Sequence, residues 1–289
     1  MTQKRTLMAV LAHPDDETFG MGGTLALYAR RDVDTFLVCA TRGEVGEMDE
    51  KYMRGFSTPG ERREAELRCA AEKLGLKEVF SLDYRDSGMP GTPENQHPAA
   101  LINAPMEKVA ARIAHIIRLQ RPQVVVTFDP IGGHRHPDHI AIHNATVRAF
   151  ALAADTAFVD PDGLPPFQAQ KLYFQVIPRG FMRAAIFALR LFGRDPRKFG
   201  QNGDIDLVSI AEVSFPIHAV VNFAPVAVLR DEAAMCHASQ GGAQQARGIQ
   251  AALRRIFSSN SEQSMRAYPP VNGRIRRETD LFAGVRLEE

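Results

Sequence analysis

The chain has few cysteines, and this limits the kinds of fold and metal site it can use. Cys39, Cys69 and Cys236 are scattered through 289 residues, and no two of them have a CxxC spacing. An odd and scattered set argues against a disulfide framework and against a cysteine zinc site. We therefore expect all three to be small core residues.

The sequence also lacks an excess of charge of either sign. Lys and Arg total 35 and Asp and Glu total 34, so the formal net charge is +1 at pH 7. Without a basic or acidic surplus, the composition gives no reason to expect nucleic acid or an anionic membrane as a partner. A neutral small-molecule substrate fits better. The composition does not decide whether the chain forms a homo-oligomer.

Long hydrophobic runs are missing too. The longest apolar stretch, residues 181–192, is interrupted by Arg183 and Arg190 and is shorter than the ~20 residues of a membrane span. We predict no span. A core helix is the first interpretation of this stretch, and a lid over the pocket and an oligomer contact are the alternatives. The opening MTQKRTLMAV leads directly into AHPDDE without the small-residue cleavage site of a signal peptide. It is expected to be a first strand, in a protein of the cytoplasm.

Short apolar runs alternate with longer amphipathic ones in the first half of the chain. Predicted strands are TLMAVLA, VDTFLVCA, KEVFSL and PQVVVTF, and predicted helices are MGGTLALYARR, ERREAELRCAAEKLG and MEKVAARIAHIIRL. This alternation predicts an α/β fold with a Rossmann-like, mostly parallel sheet and helices on both faces. We expect a single domain over 1–289, with a core at 1–155 and a C-terminal extension at 156–289 that completes the sheet and the pocket.

Two segments rich in His and Asp follow strands of this predicted sheet. AHPDDE follows the first strand and FDPIGGHRHPDH follows the fourth. Ligands of open parallel sheets bind beyond the carboxyl ends of the strands, so both segments should meet at one rim. There His13 and Asp16 can face the same point as His136 and His139. A catalytic zinc ion is typically held by three N or O ligands and keeps a position for water.

Other interpretations of these segments stay open from the residues alone. Aspartates after a strand often cap the next helix, and many HxxH pairs bind no metal. GMGG could begin a nucleotide-binding loop, but Leu25 occupies the position of the third glycine of GxGxxG. We expect these glycines to allow close helix packing instead. Two rival functions remain. One is a non-catalytic carbohydrate or nucleotide-binding module, and the other is a structural zinc site with four protein ligands.

The segments AHPDDETFGMGGTLA and FDPIGGHRHPDHIAIH resemble the two signature motifs of the LmbE-like or PIG-L family of N-acetylglucosaminyl deacetylases. TRGEVGE, RREAELRCAAEKLG, LDYRDSG and CHASQ also resemble family segments. The resemblance implies a metal-dependent hydrolase that removes an N-acyl group, with acetyl as the first choice, from an amino sugar or glucosaminyl conjugate. A thiol-sugar conjugate or another N-acyl compound is the alternative substrate.

The resemblance also implies which residues hold the metal. It places the zinc ligands at His13, Asp16 and His139, with one Zn²⁺ per chain, and the general base at Asp15. Zinc lowers the pKa of its water to about 7, and the neighbouring carboxylate can take a proton from it. Because ligand type discriminates poorly between divalent metals, Fe²⁺ is an alternative.

Further site residues follow from the same resemblance. His136 matches a residue that assists at the tetrahedral intermediate, and Asp138 matches its partner. We expect Asp138 to raise the pKa of His136 and to orient its ring. Arg63 matches an arginine at the substrate pocket. Some relatives carry a tyrosine before HPDH, where this chain has His134. Residues that we also expect to line the pocket are His134, Glu47, Asp86 and His237.

Overall fold

The computed structural model describes residues 4–46, 48–177, 179–199, 203, 205–247, 260–273 and 276–287. Its first half alternates strands and helices as predicted. These elements are β1 (Thr6–Leu11), α1 (Asp16–Arg30), β2 (Asp34–Thr41), α2 (Pro59–Leu74), β3 (Glu78–Tyr84), α3 (Met106–Gln120), β4 (Val124–Thr127), α4 (Gly132–Arg135) and α5 (Pro137–Ala154).

The second half adds strands to the same sheet. Its elements are β5 (Lys171–Val176), α6 (Arg179–Leu191), α7 (Leu207–Glu212), β6 (Ala219–Asn222), α8 (Ala227–Cys236), α9 (Gly242–Arg247) and β7 (Ser261–Tyr268). Short 3-10 turns lie at Glu50–Tyr52, Pro93–Gln96, Leu101–Asn103, Ala224–Val226 and Ala238–Gln240.

Within the described residues the strands form one seven-stranded sheet with the order β3-β2-β1-β4-β5-β7-β6. The first five strands pair in parallel, whereas β7 is antiparallel to both β5 and β6. The predicted α/β fold with a mostly parallel, Rossmann-like sheet is therefore confirmed. β1 and β4 are direct neighbours, with Ala9 opposite Val126, so the two motif segments leave the sheet side by side.

Glycines bring α1 close to the rest of the protein. A Cβ on Gly23 would lie 2.1 Å from the ring of Phe223, and one on Gly22 would lie 3.3 Å from the Arg230 side chain. The helix is kinked at Met21. Just after the kink, the Glu262 carboxylate accepts hydrogen bonds from the backbone N–H groups of Gly23 and the next residue. The interpretation of these glycines as close-packing residues is confirmed.

The cysteines depart from expectation. Cys39 is free and buried, as expected, but Cys69 and Cys236 form a disulfide between α2 and α8. Cys69 is exposed and Cys236 is half-buried, so neither is a core residue. The prediction was wrong because the two cysteines are 167 residues apart, and sequence spacing does not show that α2 and α8 pack together.

The apolar stretch at 181–192 was expected in the core, and this holds for one helix face only. Met182 packs with Leu207 and Ile210 in a small cluster apart from the main core. Phe187 and Leu191 are 69% and 71% exposed. No helix in the described ranges is both long and apolar enough to cross a membrane.

Candidate active site

Three side chains from the two motifs point their donor atoms at one another beyond the ends of β1 and β4. Nδ1 of His13 and Nε2 of His139 are 3.2 Å apart. Oxygens of Asp16 lie 3.4 Å from the first of these nitrogens and 3.3 Å from the second. His13 and His139 are buried, and the Asp16 side chain is 13% exposed. The predicted convergence of the two segments is thus present.

The spacing of these atoms fits a metal ion. Nitrogen and oxygen ligands lie about 2.0–2.2 Å from zinc, so ligand atoms around a tetrahedral ion are roughly 3.3–3.5 Å apart. The two nitrogens are 3.2 Å apart, and each lies at a similar distance from an oxygen of Asp16, with His13 3.4 Å from Oδ2 and His139 3.3 Å from Oδ1. Two imidazoles and one carboxylate are also a donor set used by catalytic zinc sites.

The opposite edge of the His13 ring faces two carboxylates. Its Nε2 lies 3.1 Å from Asp138 Oδ2 and 3.6 Å from Asp86 Oδ1. Asp138 Oδ2 also accepts a hydrogen bond from the backbone N–H of Ser87 at 2.9 Å. Burial lowers the pKa of His13, but Asp86 and Asp138 outweigh this and raise the pKa well above its ordinary value.

His13, Asp86 and Asp138 are also close enough together to hold an ion themselves. The Nδ1 side of the ring is the better metal site because a carboxylate on the other nitrogen is the usual partner of a metal-bound histidine. Such a carboxylate accepts a hydrogen bond from Nε2–H and so directs the metal to Nδ1. Asp86 is only 3% exposed, so it lies behind His13. Its expected contact with substrate stays a prediction.

His136 differs from expectation in its partner and its charge. It is the N-cap of α5, and its Nδ1 accepts a hydrogen bond from the backbone N–H of Asp138 at 3.2 Å. An accepting Nδ1 carries no proton, so the proton is on Nε2. Burial and the neighbouring His13 lower the pKa of His136. The expectation that the Asp138 carboxylate raises the pKa of His136 was wrong, because that carboxylate faces His13 instead.

Packing fixes the ring of His139. Phe128 stacks on it with ring centroids 3.9 Å apart, and the ring of His134 meets it edge-on at 4.8 Å. Gly132 has φ 66°, and a Cβ there would lie 2.9 Å from the Cβ of His139. Burial lowers the pKa of His134 to about 3, so this side chain is a neutral member of the histidine cluster.

Asp15 is held by an arginine. Its Oδ2 accepts a hydrogen bond from Nη2 of Arg63 at 3.0 Å. The guanidinium also donates to the carbonyls of Pro14 and Gly43, both at 2.7 Å. Burial raises the pKa of Asp15 to about 6, although Arg63 lowers it. Arg63 is therefore not a solvated surface charge, and its expected contact with substrate stays a prediction.

Glu17 and His237 form a buried pair behind Asp15, which the sequence did not indicate. The Glu17 carboxylate accepts from the backbone N–H of Asp15 at 2.9 Å and lies 2.7 Å from Nε2 of His237. Both side chains are 0% exposed. The ring of His237 is enclosed, and its expected contact with substrate stays a prediction. Its neighbour Glu17 was overlooked, although it belongs to AHPDDE.

The charges of this pair support each other. Burial would raise the pKa of Glu17, but His237 holds it below its ordinary value. Burial would lower the pKa of His237, but Glu17 raises it. Glu47, the remaining predicted pocket residue, lies outside the described residues.

The sequence is similar to known deacetylases. Residues 8–150 match the family model described as GlcNAc-PI de-N-acetylase, PIG-L. A protein of Geodermatophilus obscurus named 1D-myo-inositol 2-acetamido-2-deoxy-alpha-D-glucopyranoside deacetylase is 37% identical over 249 residues. That alignment covers 83% of this chain and 84% of the relative.

Solved structures share the fold at lower identity. The N,N'-diacetylchitobiose deacetylase of Pyrococcus horikoshii has a TM-score of 0.61 and 20% identity, covering 91% of this chain and 83% of that one. The 4-carboxy-2-hydroxymuconate hydratase GalB of Pseudomonas putida has a TM-score of 0.61 and 19% identity, covering 94% and 100%. The second likeness shows that this fold also carries other chemistry.

Proposed function

Since the chain belongs to the GlcNAc-PI de-N-acetylase (PIG-L) family, we propose that it is a metal-dependent hydrolase that removes the acetyl group from the nitrogen of a glucosaminyl conjugate. The observation that carries this proposal is the spacing of His13, Asp16 and His139 beside the arginine-held carboxylate of Asp15. A metal site with an adjacent base is an arrangement that supports amide hydrolysis.

The metal would be held by Nδ1 of His13, Nε2 of His139 and the Asp16 carboxylate. When bound there, Zn²⁺ polarises an amide carbonyl and makes a water molecule more acidic. Fe²⁺ suits the same ligands and is the alternative. Asp138 and Asp86 orient His13 from its Nε2 side and keep its Nδ1 available.

We assign the proton transfers to Asp15. Its carboxylate takes a proton from the attacking water while the water oxygen bonds to the acyl carbon. The carbon–nitrogen bond then breaks, and the proton passes from Asp15 to the departing nitrogen. The products are acetate and a free amine. Arg63 keeps the carboxylate oriented through its hydrogen bond to Oδ2.

The Nε2–H group of His136 is assigned to the oxygen of the tetrahedral intermediate. Its ring centroid is 4.5 Å from that of His13 and 5.0 Å from that of His139, so it borders the metal site. A neutral imidazole that donates a hydrogen bond can stabilise a developing oxyanion. Removal of one such donor typically lowers turnover about 10²–10³-fold.

The rival functions fit the site less well. A structural zinc site is normally closed by four protein ligands. His136 lies near enough to His13 and His139 to be considered as a further ligand, but its Nδ1 accepts a hydrogen bond from the backbone of Asp138, and an Nε2 that carries the proton is not a ligand. A binding module has no need for a carboxylate held beside the metal by a buried arginine.

The relative in Geodermatophilus obscurus is named for a glucosaminide of myo-inositol, and we propose this substrate class first.

The test is a set of substrates at equal concentration. It should include N-acetylglucosaminyl-inositol, N,N'-diacetylchitobiose, N-acetylglucosamine and an N-acylated thiol-sugar conjugate. We expect acetate and free amine in equal amounts, fastest from the inositol conjugate, with Asp15→Asn as the background control. Fastest release from the thiol-sugar compound would replace the inositol conjugate as the proposed substrate. No release from any of the four compounds would contradict the proposal.

A further inference from the structure

We propose that the disulfide between Cys69 and Cys236 holds His237 in place behind Asp15, so that reduction of this bond lowers turnover without releasing the metal. His237 is then a positioning residue, because it acts on Asp15 through Glu17. The inference rests on the proposed function, in which Asp15 is the general base.

The backbone of Asp15 needs support from its surroundings. Its φ of 126° and ψ of −28° lie in a region that L residues rarely adopt and that persists only where neighbouring groups fix it. Its N–H donates to Glu17 Oε2 at 2.9 Å, and Arg63 holds its carboxylate from the other side at 3.0 Å. Loss of the Glu17 contact should therefore let the base move away from its working position.

Glu17 in turn depends on His237. The second carboxylate oxygen of Glu17 lies 2.7 Å from Nε2 of His237, and neither side chain is exposed. The Thr18 hydroxyl donates to the same oxygen. A buried carboxylate is costly unless it keeps its hydrogen-bonding partners. Displacement of His237 would therefore leave Glu17 poorly held.

The disulfide holds the backbone directly before His237. Cys236 is the last residue of α8 and directly precedes His237. Its partner Cys69 lies on α2, the helix that also carries Arg63, with the two Cα atoms 5.7 Å apart. One covalent bond thus joins the segment behind Asp15 to the helix that holds its carboxylate.

Hydrogen bonds join the same two segments a few residues further on. Ser239 donates to the Glu66 carboxylate on α2, from its N–H at 2.9 Å and from its hydroxyl at 2.6 Å. Because these contacts do not involve the disulfide, we expect reduction to loosen the position of His237 and not to unfold α8.

The bond is open to reduction. Residue Cys69 is exposed, and we expect a trialkylphosphine to attack its sulfur and break the sulfur–sulfur bond. Water then converts the phosphorus–sulfur adduct to a phosphine oxide, and the two cysteines leave as thiols. Cellular dithiols achieve the same by exchange and become disulfides themselves. Cys39 takes no part, since burial raises the pKa of its thiol and keeps it protonated.

The experiment compares the zinc-loaded wild-type enzyme before and after treatment with tris(2-carboxyethyl)phosphine, with peptide mapping to show the state of the bond. We expect reduction to lower kcat about tenfold, with unchanged KM and metal content. A loss of this size is typical when a residue that supports a functional side chain through a hydrogen bond is removed. Cys69→Ser should have the low kcat in both conditions. His237→Ala should also have a low kcat, and phosphine should not change it. His237→Gln can still donate a hydrogen bond to Glu17 and should recover part of the lost kcat.

Three results would overturn the inference. One is a reduced wild-type enzyme with full kcat, and another is a peptide map of the untreated protein without the disulfide. The third is a loss of kcat on reduction that is as large in His237→Ala as in the wild type, since the effect would then bypass His237. A wild-type protein that is inactive in both states would instead overturn the proposed function, and this inference with it.

Discussion

Oδ2 of Asp138 lies 3.1 Å from Nε2 of His13. This contact assigns a role to a carboxylate that the family motif alone connects with His136. Nε2 of His13 must carry a proton to donate to Asp138, so Nδ1, on the side of Asp16 and His139, is the nitrogen that can give up its proton to a metal ion. The aspartate of HPDH thereby sets the tautomer of a metal ligand that lies in the other motif.

Asp138→Asn should weaken metal binding. The substitution keeps an acceptor oxygen but removes the charge that makes the His13 ring a stronger ligand, and loss of such partners typically lowers metal affinity about 10–100-fold. Competition with a chromophoric zinc chelator measures the affinity. Asp162→Asn, on a side chain that is 72% exposed, is the matched control. An Asp138→Asn protein with wild-type affinity would show that Asp138 does not support His13.

Asp15→Asn and His13→Ala should separate proton transfer from metal binding. Asp15→Asn should keep one metal ion per chain and lose turnover by about 10²–10⁴-fold, the range of general acid–base catalysis. His13→Ala should lose both the metal and the activity. Metal analysis of the purified variants alongside kcat distinguishes them. Equal metal loss in both variants would remove Asp15 from its role as base.

Gly43→Ala should disturb Asp15 without touching the metal ligands. A Cβ at this position would lie 2.1 Å from Nη1 of Arg63, whereas a Cβ on Gly55 would meet nothing within 4 Å. Both glycines have positive φ, so Gly55→Ala is a control for backbone strain. We expect kcat to fall about 10–100-fold in Gly43→Ala alone, because small misplacements of catalytic groups are costly. Similar kcat values in the two variants would mean that the position of Arg63 is unimportant.

The first half of the fold and the centre of the site could be predicted because their signals are local. Apolar runs specify β1 and β4, and the parallel-sheet rule brings the segments that follow them together. The charges and partners were less accessible. Whether the Asp138 side chain turns to His136 or to His13 depends on the backbone N–H of Ser87, which fixes one oxygen.

Features that depend on distant contacts were missed. β6 and β7 pair antiparallel at the edge of the sheet, and β7, SEQSMRAY, is too polar to read as a buried strand. The disulfide and the enclosure of His237 both follow from the packing of α8 against α1 and α2. Nothing in the spacing of the cysteines indicates that contact.

The most direct test of a metal-dependent deacetylase is the release of free amine from N-acetylglucosaminyl-inositol by metal-stripped protein as zinc is added back. We predict no release without metal and a rise in activity that saturates near one zinc ion per chain. Full activity in the stripped protein, or stoichiometric zinc binding with no amine released from any acetylated amino sugar, would contradict it.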